Sequence, residues 1–67
     1  MRKMAEEIAR VEHNGWELVL TWVYKDRYHI ERYHQGGFIS WETFIAKDDD
    51  NAKVVFNEKA MFFLAGR

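Results

Sequence analysis

The sequence contains no cysteine and no proline. Without cysteine the chain forms neither disulfides nor thiolate zinc sites, although small domains often depend on such links for stability. Self-association is the remaining device by which a chain of this size gains stability. Proteins of reducing compartments rarely carry disulfides, so the composition favours a cytoplasmic protein.

Long apolar segments are also missing. No apolar run approaches the roughly 18–20 residues that a membrane span requires, so no membrane association is expected. The first residues are charged and amphipathic, unlike a secretory signal. The formal net charge is -1, from 10 basic and 11 acidic side chains. Proteins that grip phosphate backbones are normally basic, so general nucleic-acid binding is not expected.

Aromatic residues, by contrast, are abundant. The chain has 67 residues, of which 16% are aromatic and 48% hydrophobic. This length predicts a single domain, residues 1–67, and a domain of this size buries only about 60% of its unfolded surface. We therefore expect aromatic side chains that one copy leaves exposed, and a homodimer or higher oligomer that covers them.

The N-terminal segment has helical periodicity. Met1, Met4, Ile8 and Val11 form an apolar stripe, which predicts a helix over residues 1–13. The following Asn14-Gly15 pair tolerates the left-handed conformation that ends many helices. Alternating apolar residues then predict strands over residues 16–24, 28–34 and 38–46, joined by tight turns.

The C-terminal segment, residues 51–66, has two interpretations. Its β-branched and aromatic residues favour two short strands. Alternatively, the preceding aspartates cap a helix and complement its dipole. The first interpretation gives an α+β fold, with an N-terminal helix packed on an antiparallel meander of four or five strands. The second gives the order α-β-β-β-α.

One short motif resembles a known family. The stretch Asn14-Gly15-Trp16-Glu17-Leu18-Val19 after a predicted helix resembles small uncharacterised bacterial and phage proteins. In these proteins a helix ends in Gly-Trp-Glu-Leu-Val and runs into an antiparallel sheet. The resemblance covers the first third of the chain, which lacks the strand that usually precedes that helix. It implies a fold and no activity.

The second predicted hairpin suggests a ligand site. Alternation places Tyr28, Arg32 and His34 on one face of their strand. These side chains offer a ring for stacking, a planar guanidinium for an anion and a pH-dependent donor. Backbone N–H groups at Gly36 and Gly37 add further donors for an anion. Together they predict a site for a small anionic, nucleotide-like ligand.

The uncovered face of the sheet is the expected interface. One helix shields about two or three strands, because its diameter is about 10–12 Å and strands lie roughly 4.8 Å apart. We expect the face that it leaves open to bind a second copy or a protein target, and assign four aromatic residues to this interface: Trp22, Tyr33, Phe38 and Trp41.

Signals for catalysis and cofactors are weak. His29 and Glu31 share a strand face and suit acid–base chemistry, and with Arg32 or Tyr33 they are similar to the side chains of small ribonuclease toxins. The three aspartates Asp48, Asp49 and Asp50 lack the spacing of a calcium loop. No metal, no cofactor and no catalytic residue is therefore predicted.

The predicted function is binding without catalysis. In size and character the chain resembles phage-encoded inhibitors of host defence, some of which sequester a nucleotide signal and others of which block a protein. Sequestration of an anionic nucleotide-like ligand at a subunit interface is the first hypothesis. The alternatives are blockage of a partner protein through the aromatic sheet face, and a ribonuclease-like enzyme.

Overall fold

The computed structural model describes residues 2–67 and shows an α+β fold. The elements are β1 (Glu6–His13), β2 (Trp16–Tyr24), β3 (Arg27–His34), β4 (Gly37–Ile45) and α1 (Asp49–Leu64). The four strands form one antiparallel meander in the order β1-β2-β3-β4, and the single helix follows them.

The prediction of an N-terminal helix is wrong, because this segment is strand β1. Val11 lies opposite Leu18 of β2, and a bulge between Glu7 and Ala9 shifts the register. Such a bulge adds one residue to a strand. The side chains before and after it therefore do not follow one regular alternation, which is the pattern that reveals a strand in the sequence. Met1, which began the predicted stripe, lies outside the described residues.

The Asn14-Gly15 pair forms a hairpin turn rather than a helix end. Asn14 has φ 49° and Gly15 has φ 83°, and the pair joins β1 to β2. Two successive residues with positive φ are typical of the two-residue turns that match the twist of a hairpin. A preference for positive φ suits both a helix end and a hairpin turn, so only the pairing of β1 with β2 distinguishes the two.

The three predicted strands are confirmed. The predicted limits agree with β2, β3 and β4 to within one residue, and all three neighbouring pairs are antiparallel. The second predicted turn is also present, with φ 50° at Gln35 and 84° at Gly36. Alternation and turn residues are strong signals for these strands, although their pairing also contains register shifts between Trp22 and Tyr24 and between Arg32 and Tyr33.

The prediction of two C-terminal strands is wrong, and the alternative helix is correct for this segment. The Asp48 carboxylate caps α1 by accepting a hydrogen bond of 2.8 Å from the backbone N–H of Asn51. Ala52, Phe56 and Ala60 follow at intervals of four residues and are buried. This spacing places them on one side of a helix, and β propensity is overridden by the packing of that side.

The helix packs on one face of the sheet, chiefly over β1 and β2. The core between them is formed by Leu18, Leu20, Trp22, Tyr28, Ile30, Ala46, Ala52, Phe56 and Ala60. The opposite side of the sheet, here named the open face, carries no other element of residues 2–67. Among these residues there is no helix with the length and apolar character needed to cross a bilayer.

Candidate functional site

The open face contains a cavity of about 460 Å³ over β1, β2 and β3. Val19 and Thr21 of β2 form its floor, since both are buried although they point away from the helix. Glu31 and Tyr33 of β3 form one wall, and charged residues of β1 form the other. The alternation of β2 and β3 brings their side chains to this face. Glu7 and Arg10 are three residues apart in β1, and the bulge between Glu7 and Ala9 places both on the same face.

Beside the cavity, β4 carries an apolar row formed by four exposed side chains: Phe38, Ile39, Trp41 and Ile45. Trp41 is 54% exposed, and its ring lies 4.6 Å from the His29 ring between centroids. Phe38 is 55% exposed and meets Tyr33 edge-on at 5.8 Å. Exposed apolar side chains grouped along one strand in this way are typical of an interaction surface.

The apolar row also lies on an edge strand. β4 pairs only with β3, and no other strand of residues 2–67 pairs with its outer edge. The backbone donors and acceptors of such an edge are free to pair with another chain. The row and the free edge therefore place apolar and hydrogen-bonding groups side by side.

The cavity is acidic. Its lining includes the three carboxylates of Glu7, Glu17 and Glu31, and one guanidinium, that of Arg10. Arg10 forms ion pairs with Glu7 at 2.7 Å and with Glu17. The hydrogen bond from Arg10 lowers the pKa of Glu7, which keeps this carboxylate ionised. Glu31 takes part in none of the ion pairs among residues 2–67.

Two further polar groups face the cavity. Burial raises the pKa of the Tyr33 hydroxyl, and the negative charge of Glu31 raises it further. Thr21 is only 9% exposed and lies in the cavity floor, where its hydroxyl adds a polar group between apolar neighbours.

The predicted ligand-site residues lie apart from this cavity. Tyr28 is 2% exposed beneath the helix, where its hydroxyl donates a hydrogen bond of 2.7 Å to Asp49. Burial, followed by this hydrogen bond, raises the pKa of Tyr28 to about 12. The ring is enclosed by the core and offers no surface for a flat ligand to stack on.

Arg32 and His34 also lie on the helix side of the sheet. The Arg32 guanidinium donates to Glu42 at 2.6 Å and packs over the Phe63 ring. Its Nε atom is buried and has no hydrogen-bond partner. The His34 ring packs against Trp16, with centroids 4.5 Å apart. The guanidinium that was predicted to bind an anion is thus already paired with a carboxylate of the same chain.

The remaining residues of the predicted ligand site are two glycines. Gly36 and Gly37 lie in and beside the turn between β3 and β4. No heavy atom lies within 4 Å of a Cβ built on Gly36, so this turn points into open space. The structure therefore does not bring Tyr28, Arg32, His34 and the two glycines into one pocket.

The predicted interface residues fall into two groups. Trp22 is buried in the core, and its indole N–H donates to the Lys25 carbonyl at 2.8 Å. Tyr33, Phe38 and Trp41 lie together on the open face. Alternation also places His29 and Glu31 beside Tyr33 in the cavity lining, as the sequence predicted.

Sequence reasoning missed the other wall and the floor of the cavity. Glu7 and Arg10 fall within the predicted helix, and Glu17 and Thr21 are not among the predicted site residues. The alternation of β2 is a usable signal, because Glu17, Val19 and Thr21 share the face opposite Leu18 and Leu20. No cluster of three or more potential metal ligands is present in residues 2–67.

Comparison with known proteins finds no match to a protein family, to a curated protein or to a solved structure. The resemblance at residues 14–19 therefore stays a prediction. The segment that precedes Gly15 is a strand and not the helix that the resemblance implies.

Proposed function

We propose that the chain is a non-enzymatic binding protein that occupies a protein partner with its open face. The observation that carries this proposal is the apolar row beside an acidic cavity on a sheet face that nothing in residues 2–67 covers. Aromatic anchors next to polar groups are the usual composition of protein interfaces. A chain that works in this way acts by blocking a surface of its target, as an inhibitor does.

The anionic, nucleotide-like ligand has less support than a protein partner. Arg32 is already paired with Glu42, and the Tyr28 ring is enclosed by the core. The cavity on the open face carries three carboxylates against one guanidinium, which repels an anion. The same charge weakens the ribonuclease hypothesis, because RNA binding needs a positive groove.

Affinity capture with two matched variants tests the proposal. Trp41→Asp places a charge in the apolar row, and Phe62→Asp places the same charge on the exposed side of α1, where Phe62 is 88% exposed. With extracts of the native cells, we expect the wild type and Phe62→Asp to retain one stoichiometric protein. Trp41→Asp should lose it, because a charge cannot be desolvated in an apolar contact.

Retention of that protein by Trp41→Asp would place the interface elsewhere and contradict the proposal. Light scattering of the purified chain tests the predicted homo-oligomer separately. A dimer that Trp41→Asp converts to a monomer would identify a second copy as the occupant of the open face. A monomer that binds a different protein supports a heterologous partner.

A further inference from the structure

The acidic cavity and the apolar row together indicate the chemistry of the occupant. We propose that the open face binds a basic, extended segment of the partner, which inserts a lysine or arginine side chain into the cavity and packs apolar side chains on the row. This inference rests on the proposed function and names the class of partner. Three features of the cavity support it.

Charge is the first feature. Glu7 and Glu17 share the single guanidinium of Arg10, and Glu31 has no cationic partner among residues 2–67. The cavity therefore holds more negative than positive charge at neutral pH. Glu17 and Glu31 are half-buried, so solvent screens a cation beside them less than it would on an open surface.

The position of Glu31 is the second feature. It lies directly opposite Trp41 in the β3–β4 register, and both side chains are on the open face. Side chains of opposed residues are neighbours across a sheet. An ammonium or guanidinium at Glu31 is thus also near an exposed indole ring, which attracts cations through its π face.

The floor of the cavity is the third feature. Thr21 brings a hydroxyl to the cavity floor, and Val19 and Val23 lie on either side of it along β2. An ammonium group has three donors and no acceptor, so it fits a cavity lined by carboxylates and a hydroxyl oxygen. The methylene stem of lysine or arginine packs on valine side chains, as such stems commonly do.

The same features disfavour other occupants. An anionic segment meets three carboxylates, and a second copy stacked face to face brings an equal excess of negative charge. Like charges across an interface oppose association. A basic segment is the occupant whose charge complements the cavity.

Two short peptides of equal length test the inference. One alternates valine with lysine, and the other alternates valine with glutamate. Each is titrated into the full chain at low ionic strength, while NMR follows the backbone amides and the Trp41 indole. We expect the lysine peptide to shift the signals of Thr21, Glu31 and Trp41, and the glutamate peptide to leave them unchanged.

Charge variants give the matched control. Glu31→Gln should weaken binding of the lysine peptide roughly fivefold, as expected for loss of one partly exposed ion pair. Glu58→Gln removes the same charge from an exposed position on α1 and should leave the affinity unchanged. Added salt should weaken binding to the wild type more than to Glu31→Gln.

Each other outcome overturns the inference in a distinguishable way. Equal binding of both peptides, lost in Trp41→Ala, would show a binding face without preference for basic segments and leave the proposed function intact. Equal weakening by Glu58→Gln and Glu31→Gln would show attraction to net charge alone. If neither peptide binds, the inference that the partner offers a basic segment is overturned. The capture experiment then still decides the proposed function.

Discussion

At the scale of single residues, alternation along a strand predicts which side chains share a face but not which face the helix covers. Tyr28 and Trp41 illustrate this limit. Both are predicted to lie at exposed sites, yet Tyr28 is in the core and Trp41 is on the open face. The outcome depends on where α1 packs, and the sequence leaves open whether that helix exists. Glu7 and Arg10 are missed for a different reason, because the bulge in β1 conceals its alternation and the segment is predicted to be a helix.

Tyr28 should contribute to stability through its hydrogen bond to Asp49. Tyr28→Phe removes the bond and keeps the ring, so we expect the free energy of unfolding to fall by about 1 kcal/mol. A urea titration near neutral pH measures this change. An unchanged free energy of unfolding would show that the bond contributes nothing.

The same variant tests the pH dependence of stability. The pKa of Tyr28 is raised from 10.0 to about 12, so folding favours the neutral phenol. Its contribution is complete below pH 10 and is lost as the pH rises through about 12. The wild type should therefore lose stability over this alkaline range more steeply than Tyr28→Phe. Parallel curves for the two proteins would contradict the assignment.

At the scale of elements, local signals locate β2, β3 and β4 but not the elements at the two ends of the chain. Asn14-Gly15 suits both a helix end and a hairpin, and the choice is made by pairing with β2. In the C-terminal segment, Val54 and Phe56 have β propensity, while the Asp48 cap and the buried spacing of Ala52 and Ala60 favour a helix. Capping and packing on the sheet decide this conflict.

The β3–β4 turn should respond in opposite directions to two neighbouring substitutions. Gly36 has φ 84° and an added Cβ would meet no heavy atom within 4 Å, so Gly36→Ala should destabilise by about 1 kcal/mol through backbone strain alone. Gln35 has φ 50°, and Gln35→Asn should stabilise slightly, because asparagine tolerates this conformation better. Denaturant unfolding measures both, and equal effects would contradict the turn geometry.

The N-terminal cap of α1 gives a second test at this scale. Asp48→Ala removes the hydrogen bond to Asn51 and should lower the Tm. Asp50→Ala, which removes a charge from the same turn without that bond, is the control and should have a smaller effect.

The hydrogen bond from Asn51 lowers the pKa of Asp48 below its ordinary 3.8, so the contribution of the cap to stability is present above that pH and is lost on further acidification. The Tm difference between wild type and Asp48→Ala should therefore shrink in acid, and a constant difference would contradict the cap.

At the scale of the whole molecule, the predicted excess of aromatic surface is present. One helix covers one face of a four-stranded sheet, and Phe38 and Trp41 remain more than half exposed on the other. This follows from the relative widths of a helix and a sheet, so it does not depend on whether the helix comes first or last. The particular cavity was not predictable, because it needs the register of β1 on β2.

Substitutions on the helix side of the sheet should affect stability, whereas those on the open face should affect binding. Phe56→Ala empties a buried position under α1 and should cost about 3–5 kcal/mol of unfolding free energy. Trp41→Ala should change the unfolding free energy by less than about 0.5 kcal/mol, since the side chain is largely exposed. The same Trp41 variant should abolish partner binding. Strong destabilisation by Trp41→Ala would show that the row is structural.

Photo-cross-linking from position 41 tests most directly whether the open face is the binding surface. A photoreactive phenylalanine analogue replaces Trp41 in one variant and Phe62 in the other, and both are irradiated in the native cells. Because Phe62 is an exposed ring on the opposite side of the molecule, it controls for chance encounters. We predict one defined adduct, with a basic segment of a partner protein, from position 41 and none from position 62. The same adduct from position 62, with none from position 41, would contradict the account.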